Sequence, residues 1–133
     1  MVKQVKSKIR VAEFGEVNTS NIQINAMLDL VKHETYMLKS RFLEPACGDG
    51  NFLEEILDRK LSTLVRKFKY HKYEFEKNSI IVIGSIYGIE ILEDNAQSTR
   101  EKLCKKFCTV YKRYFKGSIR KKLIQSIEFI IKK

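Results

Sequence analysis

The chain is poor in proline, with one in 133 residues, and it has no tryptophan. Lysine, isoleucine and asparagine are common instead, the composition that AT-rich coding tends to give. Three cysteines is an odd number, which argues against a disulfide framework and accords with a reducing cytoplasm. No apolar run approaches the roughly 18 residues of a membrane span, so no membrane partner is expected. The basic start, MVKQVKSKIRV, is followed by no apolar stretch and does not read as a secretory leader. Internal repeats and low-complexity tracts are absent. With only two histidines, no Ser/His/Asp arrangement can be assigned.

At 44% hydrophobic residues the chain can bury a core, and its length suits one domain at most. The net charge of +10 admits two readings: a surface that meets phosphate backbones, or compositional drift. Residues 101–133 carry eleven Lys/Arg against two Glu, so the basic excess sits towards the C-terminal end. The clusters Lys105-Lys106 and Arg120-Lys121-Lys122 suit DNA phosphates, and they equally suit solvated helix faces.

Residues 1–17 show little periodicity and read as an arm plus a turn at Phe14-Gly15-Glu16. Thr19-Ser20-Asn21 supplies three candidate N-caps. Ile22, Ala26, Met27, Leu30 and Val31 then recur at helical spacing, predicting a helix to about His33. RFLE at 41–44, closed by Pro45, suits a short buried strand. From Asn51 the apolar positions keep a 3.6-residue rhythm, predicting a helix over 51–68. KYHKYEFEK at 69–77 has no clear period and reads as a loop or frayed helix end. NSIIVIGSIYGIEI then predicts a buried segment at 80–83, a break at Gly84 and a strand at about 86–91. Asp94 caps a further helix, with Ala96, Leu103, Phe107, Val110, Tyr111 and Tyr114 on one face. Gly117 breaks it, and a last amphipathic helix carries Ile119, Leu123, Ile127 and Ile130 or Ile131. This alternation predicts an α/β domain with a parallel sheet.

The stretch FLEPACGDGNFL (42–53) holds the most chemistry. Ala46-Cys47-Gly48-Asp49-Gly50 is a small-residue turn between a strand and a helix N-terminus, where open α/β sheets bind nucleotides. A phosphate-cradling P-loop would end in Gly-Lys-Ser/Thr, but this loop ends in Gly-Asn-Phe. A dinucleotide fingerprint would place a third glycine where Leu53 stands, and an acid about 20 residues on. The strand-end acid here, Glu90, lies 40 residues after Gly50. Glu44 and Asp49 put two carboxylates at the loop, which would repel a pyrophosphate and pair with an ammonium group. A ligand with a cationic amine, no phosphate, and a ribose for Glu90 fits these terms; S-adenosylmethionine is such a ligand. Alternatively, Glu44 is only a strand-end acid and Asp49 only a helix cap.

FLEPACGDGNFL resembles motif I of the amino-group DNA methyltransferases of restriction–modification systems, chiefly the N6-adenine enzymes. FGEVNTSNIQINAMLDLV (14–31) is similar to that family's motif X, and YGIEILEDNAQSTREKL (87–103) to its motif II. The resemblance implies a Rossmann-like methyltransferase fold, here only its first strands and helices, with S-adenosylmethionine as cofactor. It implies that Thr19 contacts the cofactor's carboxylate end. Glu44, after which Pro45 closes the strand, holds the methionine amino group together with the Ala46 backbone. Gly48 and Gly50, around Asp49, let the cofactor lie against the loop; Cys47 is a small residue, not a nucleophile. Glu90 takes both ribose hydroxyls, and Ile91 packs on the adenine. Motif X departs from the family pattern, with Asn18 where an aromatic is usual and Ser20 where proline is.

The family's catalytic Asn/Asp-Pro-Pro-Tyr/Phe motif, which holds a flipped adenine, needs two prolines, and the single proline already belongs to motif I. The resemblance therefore implies a cofactor-binding portion, inactive alone and ending within its cofactor domain. Residues 1–38 would form an arm and the motif X helix, and 39–133 the first part of the cofactor domain. DNA would be met through a longer enzyme or a partner chain. An open sheet edge would favour self-association into a homo-oligomer. A rival expectation is a non-enzymatic, basic DNA-binding or interaction module, or one subunit of a split methyltransferase. Cys104 and Cys108, four apart on a helix, read as half-buried thiols more readily than as metal ligands.

Overall fold

The structure, a computed structural model, describes residues 8–15, 17–117 and 119–131. The arm at 1–7, Glu16 of the motif X segment, and the side chains at 130 and 131 lie outside the described residues. Seven helices and two strands follow one another among those described. They are α1 (Lys8–Phe14), α2 (Asn21–Asp29), α3 (Lys32–Thr35), β1 (Phe42–Glu44), α4 (Asn51–Phe68), α5 (Lys72–Gly84), β2 (Ile86–Gly88), α6 (Glu93–Tyr114) and α7 (Lys121–Ile131).

A Rossmann-like α/β fold is thereby corrected: the chain is mostly helical, with two short parallel strands in place of a layered sheet. The largest departure lies at 69–84, expected as a loop or frayed helix end, then a buried segment at 80–83 and a break at Gly84. One helix, α5, occupies nearly all of it. Ile80-Ile81-Val82-Ile83 favours a strand by local preference, but burial here follows helical spacing through Phe75, Glu76, Ser79, Val82 and Ile83. Packing against α4 and α7 overrides a propensity worth only tenths of a kcal/mol per residue.

Smaller corrections follow the same logic. The segment expected as an arm contains α1, whose Arg10 guanidinium clamps both carboxylate oxygens of Asp94 at 2.7 and 3.1 Å. The helix expected to reach His33 breaks into α2 and α3. Leu92, not Asp94, occupies the N-cap of α6, and Asp94 sits within its first turn. The strand expected over 86–91 ends at Gly88. Ser20 caps α2 through a reciprocal pair with Gln23, the role its position suggested.

The core lies between α4, α5, α6 and α7. Leu53, Ile56, Leu57, Leu61 and Leu64 bury one face of α4, while Leu123 and Ile127 of α7, with Ile119 just before it, are buried as well. Phe75, Phe107, Tyr111 and Phe115 form an aromatic cluster at the α5–α6 contact. Glu76 is buried there and accepts hydrogen bonds from Tyr111 Oη at 2.7 Å and from Arg120, joining α5 to α6 and to the residue just before α7. Burial pushes the Tyr111 phenol up, which keeps it protonated as the donor.

Two consecutive charged residues of α4 are also buried. Arg59 donates to Asn25 Oδ1 and Asp29 Oδ1, each at 2.9 Å, and to Thr35 Oγ1 at 3.3 Å, fixing α2 and α3 to α4. Lys60, 0% exposed, donates to the carbonyls of Met37, Leu38 and Ser40 at 2.6, 3.3 and 2.7 Å. Three donors meet three acceptors, and the lead-in to β1 is held by one side chain.

Burial pushes the Lys60 ammonium from its ordinary 10.5 down to about 8, with Glu34 opposing the shift. A folded value below the unfolded one means that the charged form is penalised by folding. That penalty is present in full below pH 8 and is relieved as the pH rises towards 10.5. Relative to Lys60→Met, the wild type should therefore gain unfolding free energy across that window, by at most ~1.4 kcal/mol per pH unit. Urea titrations of both proteins at stepped pH check this, and a pH-independent difference would contradict it.

Candidate functional site

The site begins where β1 and β2 end. The strands are parallel, with Phe42 opposite Ile86, Leu43 opposite Tyr87 and Glu44 opposite Gly88. Parallel neighbours need a crossover, here α4 and α5, so both strands deliver their following loops to the same end. Pairing continues past the strands: Ile89 N–H donates to Glu44 O at 3.0 Å, and Cys47 N–H donates to Ile89 O at 3.1 Å. The small-residue loop and the segment leading to Glu90 are thus stitched together.

Glu44 is half-buried and its Oε1 accepts from Ala46 N–H at 3.2 Å, so the carboxylate folds over its own loop. Glu90 Oε1 accepts from Leu92 N–H at 2.8 Å. Both acids act on the Cys47 thiol. Burial pushes it up, and the negative charge of Glu90, then Glu44, pushes it further; a hydrogen bond with Thr99 opposes them. The fields of both carboxylates therefore converge on this loop, and the thiol stays protonated. A protonated, half-buried thiol is a poor nucleophile, in keeping with a packing role.

Asp49 is tied to α6. It pairs with Lys102 of α6 at 3.6 Å, and Lys102 also donates to Asn51 Oδ1 at 3.1 Å. The two glycines of the loop differ. Gly50 has φ +86°, and a Cβ there would lie 2.7 Å from Thr99 Cγ2 and Oγ1. Its bareness serves the packing of the loop on α6. Gly48 has φ +56° and nothing within 4 Å of where its Cβ would be, so one side of the loop is open.

Pro45 and Ala46 are exposed at the loop's outer side, and Ile91 is 78% exposed just beyond Glu90. Thr19 is half-buried in the coil before α2 and makes no hydrogen bond to the loop among the described residues. The structure thus joins Glu44, Pro45, Ala46, Cys47, Gly48, Asp49 and Gly50 with Glu90 and Ile91 through the strand pairing and its continuation.

Residues with no sequence signal complete the site. Thr99 Oγ1 donates to Gly48 O at 3.2 Å, and Lys102 neutralises Asp49. Both lie on the side of α6 turned to the loop, spaced three apart as one helix face requires. Cys104 and Cys108 are half-buried against the core on the same helix. Among the described residues no group of three or more His, Cys, Asp or Glu could hold a metal ion. No described helix is long and apolar enough to cross a membrane.

No family model, no curated protein and no solved structure matches this chain.

Gly50→Ala should destabilise the protein by about 2–4 kcal/mol, the sum of a left-handed backbone and an overpacked contact. Gly48→Ala, equally left-handed but facing open space, should cost only the backbone share. Urea unfolding of the two variants compares them; equal losses would refute the contact with Thr99.

Proposed function

We propose that this chain is the S-adenosylmethionine-binding portion of a DNA adenine-N6 methyltransferase of a restriction–modification system, acting in the cytoplasm. The observation that carries the proposal is the convergence of Glu44 and Glu90 at the paired ends of two parallel strands. A sulfonium bearing an ammonium group is cationic, and a loop under two carboxylate fields favours it. Glu44 would hold the amino group together with the carbonyl of Ala46, because the Ala46 N–H is taken by Glu44 itself. Glu90 would accept from both ribose hydroxyls, its second oxygen supplementing the one bonded to Leu92 N–H. Ile91, exposed one residue on, offers an apolar surface for the adenine ring. Gly48 leaves room for close approach, whereas Gly50 and Asp49 serve the loop's attachment to α6. The cofactor, when bound, supplies the activated methyl group. The proposal rests on this local strand–loop–helix geometry and not on a Rossmann-like sheet.

With one proline, the chain has no Asn-Pro-Pro-Tyr block to hold a flipped base, so methyl transfer would need another polypeptide segment. A second reading is favoured by the exposed Lys105, Lys112, Arg113, Lys121 and Lys122 of α6 and α7: a non-enzymatic module that binds DNA through phosphate contacts. The two readings separate on one variant. Calorimetry should show weak binding of S-adenosylmethionine, in the range of about 10–100 μM. Glu90→Ala should lose at least about tenfold, and methyl transfer to mixed-sequence DNA should be absent. Salt-sensitive DNA binding without cofactor binding would favour the module, and cofactor binding unaffected by Glu90→Ala would overturn the assignment of that residue.

A further inference from the structure

A groove of about 300 Å³ lies between α5 and α7 and shares no residue with the strand-end site. Tyr73, Glu76, Lys77 and Ile80 line it from α5, at the spacing of one helix face. Arg120, just before α7, and Lys122 and Leu123 of its first turn line it from the other side. Its charge is positive where a ligand would sit. The one acid among its lining residues, Glu76, is buried with both oxygens engaged, Oε1 by Tyr111 and Oε2 by Arg120. The Arg120 side chain is 62% exposed, so it covers that carboxylate and still offers N–H donors to the groove's mouth. Lys77 and Lys122 are exposed and form no ion pair among the described residues. Neighbouring acids are engaged elsewhere: Glu74 Oε2 accepts from Asn78 at 3.5 Å, and Glu128 acts on the Cys108 thiol of α6.

An aromatic ring stands among these cations. Tyr73 lines the groove and is 70% exposed, and Tyr70, in the turn that opens α5, is 83% exposed with Lys69 Nζ over its ring at 5.0 Å. Two tyrosines left this bare gain nothing from the core, so their flat faces are available to a ligand. We propose that the α5–α7 groove binds single-stranded nucleic acid, a base stacking on Tyr73 while Lys77, Arg120 and Lys122 meet the flanking phosphates.

The ring selects the occupant. A small anion or an acidic peptide would answer the three cations and leave Tyr73 unused, whereas a nucleic acid strand supplies a phosphate and a flat base at every residue. Duplex bases have both faces stacked on their neighbours, so only an unpaired strand can lay one on an exposed ring. This site shares only Lys122 with the basic faces of α6 and α7 invoked above for duplex phosphates. It needs Tyr73 and Lys77 of α5, which that reading does not use.

The test uses the full chain with fluorescent oligothymidylate and oligouridylate of about ten nucleotides. No S-adenosylmethionine is added, so the outcome is independent of cofactor binding. Anisotropy should give a Kd of about 1–100 μM, with a log–log salt slope near about −2 for three cations. Binding of either strand supports the proposal, and the preferred one names the sugar. Tyr73→Ala should weaken binding at least ~5-fold and leave the salt slope unchanged, while Tyr73→Phe keeps it. Lys77→Ala with Lys122→Ala should flatten the slope to about −0.7. Lys105→Ala with Lys112→Ala, on α6, should change nothing, and a duplex of equal length should bind at least ~5-fold more weakly. Tyr73 is exposed, so its loss spares the core, and circular dichroism checks that each variant is folded. Tighter binding to the duplex, a loss from the α6 pair with none from Tyr73→Ala, displacement by polyglutamate as readily as by oligonucleotide, or no binding at millimolar protein would each overturn the proposal.

Discussion

Everything at the candidate site depends on the parallel pairing of β1 with β2 and its continuation through Ile89. Those two strands are three residues each, yet the bonds from Ile89 to Glu44 and from Cys47 to Ile89 extend the ladder into the loops. Because the partners are parallel, the intervening helices must return the chain to its starting end, and Glu44 pairs with Gly88, two residues before Glu90. Gly88 permits this closeness: a Cβ there would lie 2.6 Å from Leu53 Cδ1 and 3.0 Å from Cys47 Sγ. Helix α4, the loop and β2 therefore meet at one point with no side chain to spare.

Buried charge steadies this arrangement. Removing an ammonium and a guanidinium from water is costly unless every donor finds an acceptor. Lys60 meets three carbonyls just before β1, and Arg59 meets Asn25, Asp29 and Thr35 from the segment before that. Because such bonds are directional, they select one position for α2, α3 and the lead-in strand where apolar contact alone would allow several. Glu76 plays the equivalent part on the far side, between Tyr111 and Arg120. The two ends of the helical core are thus pinned by polar groups and its middle is packed by leucine, isoleucine and phenylalanine.

These features explain what the sequence did and did not reveal. The FLE strand, the 51–68 helix and the apolar faces of α6 and α7 were legible because a single period dominates each. The loop was legible because the one proline and two of the six glycines fall within residues 45–50. Arg59 and Lys60 were hidden: a charged residue in a helical pattern reads as solvent-facing, and nothing local marks its distant acceptors. The helix at 72–84 was hidden for the opposite reason, since four consecutive β-branched residues suggest a strand and only long-range packing decides otherwise. With that segment helical and the strand after it ending at Gly88, the expected α/β layering gave way to a mostly helical body carrying one strand pair among the described residues. The pairing of Asp49 with Lys102 was hidden because the two lie 53 residues apart along the chain.

A helical body with a two-stranded ledge can still present a small cationic ligand with two carboxylates, because the ledge alone sets their spacing. The most direct measurement is an amide-resolved NMR titration with S-adenosylmethionine. The account predicts that the largest shifts fall on Ala46 to Gly48 and on Ile89 to Ile91, with α7 unaffected. Shifts confined to the basic faces of α6 and α7, or none at millimolar ligand, would contradict it.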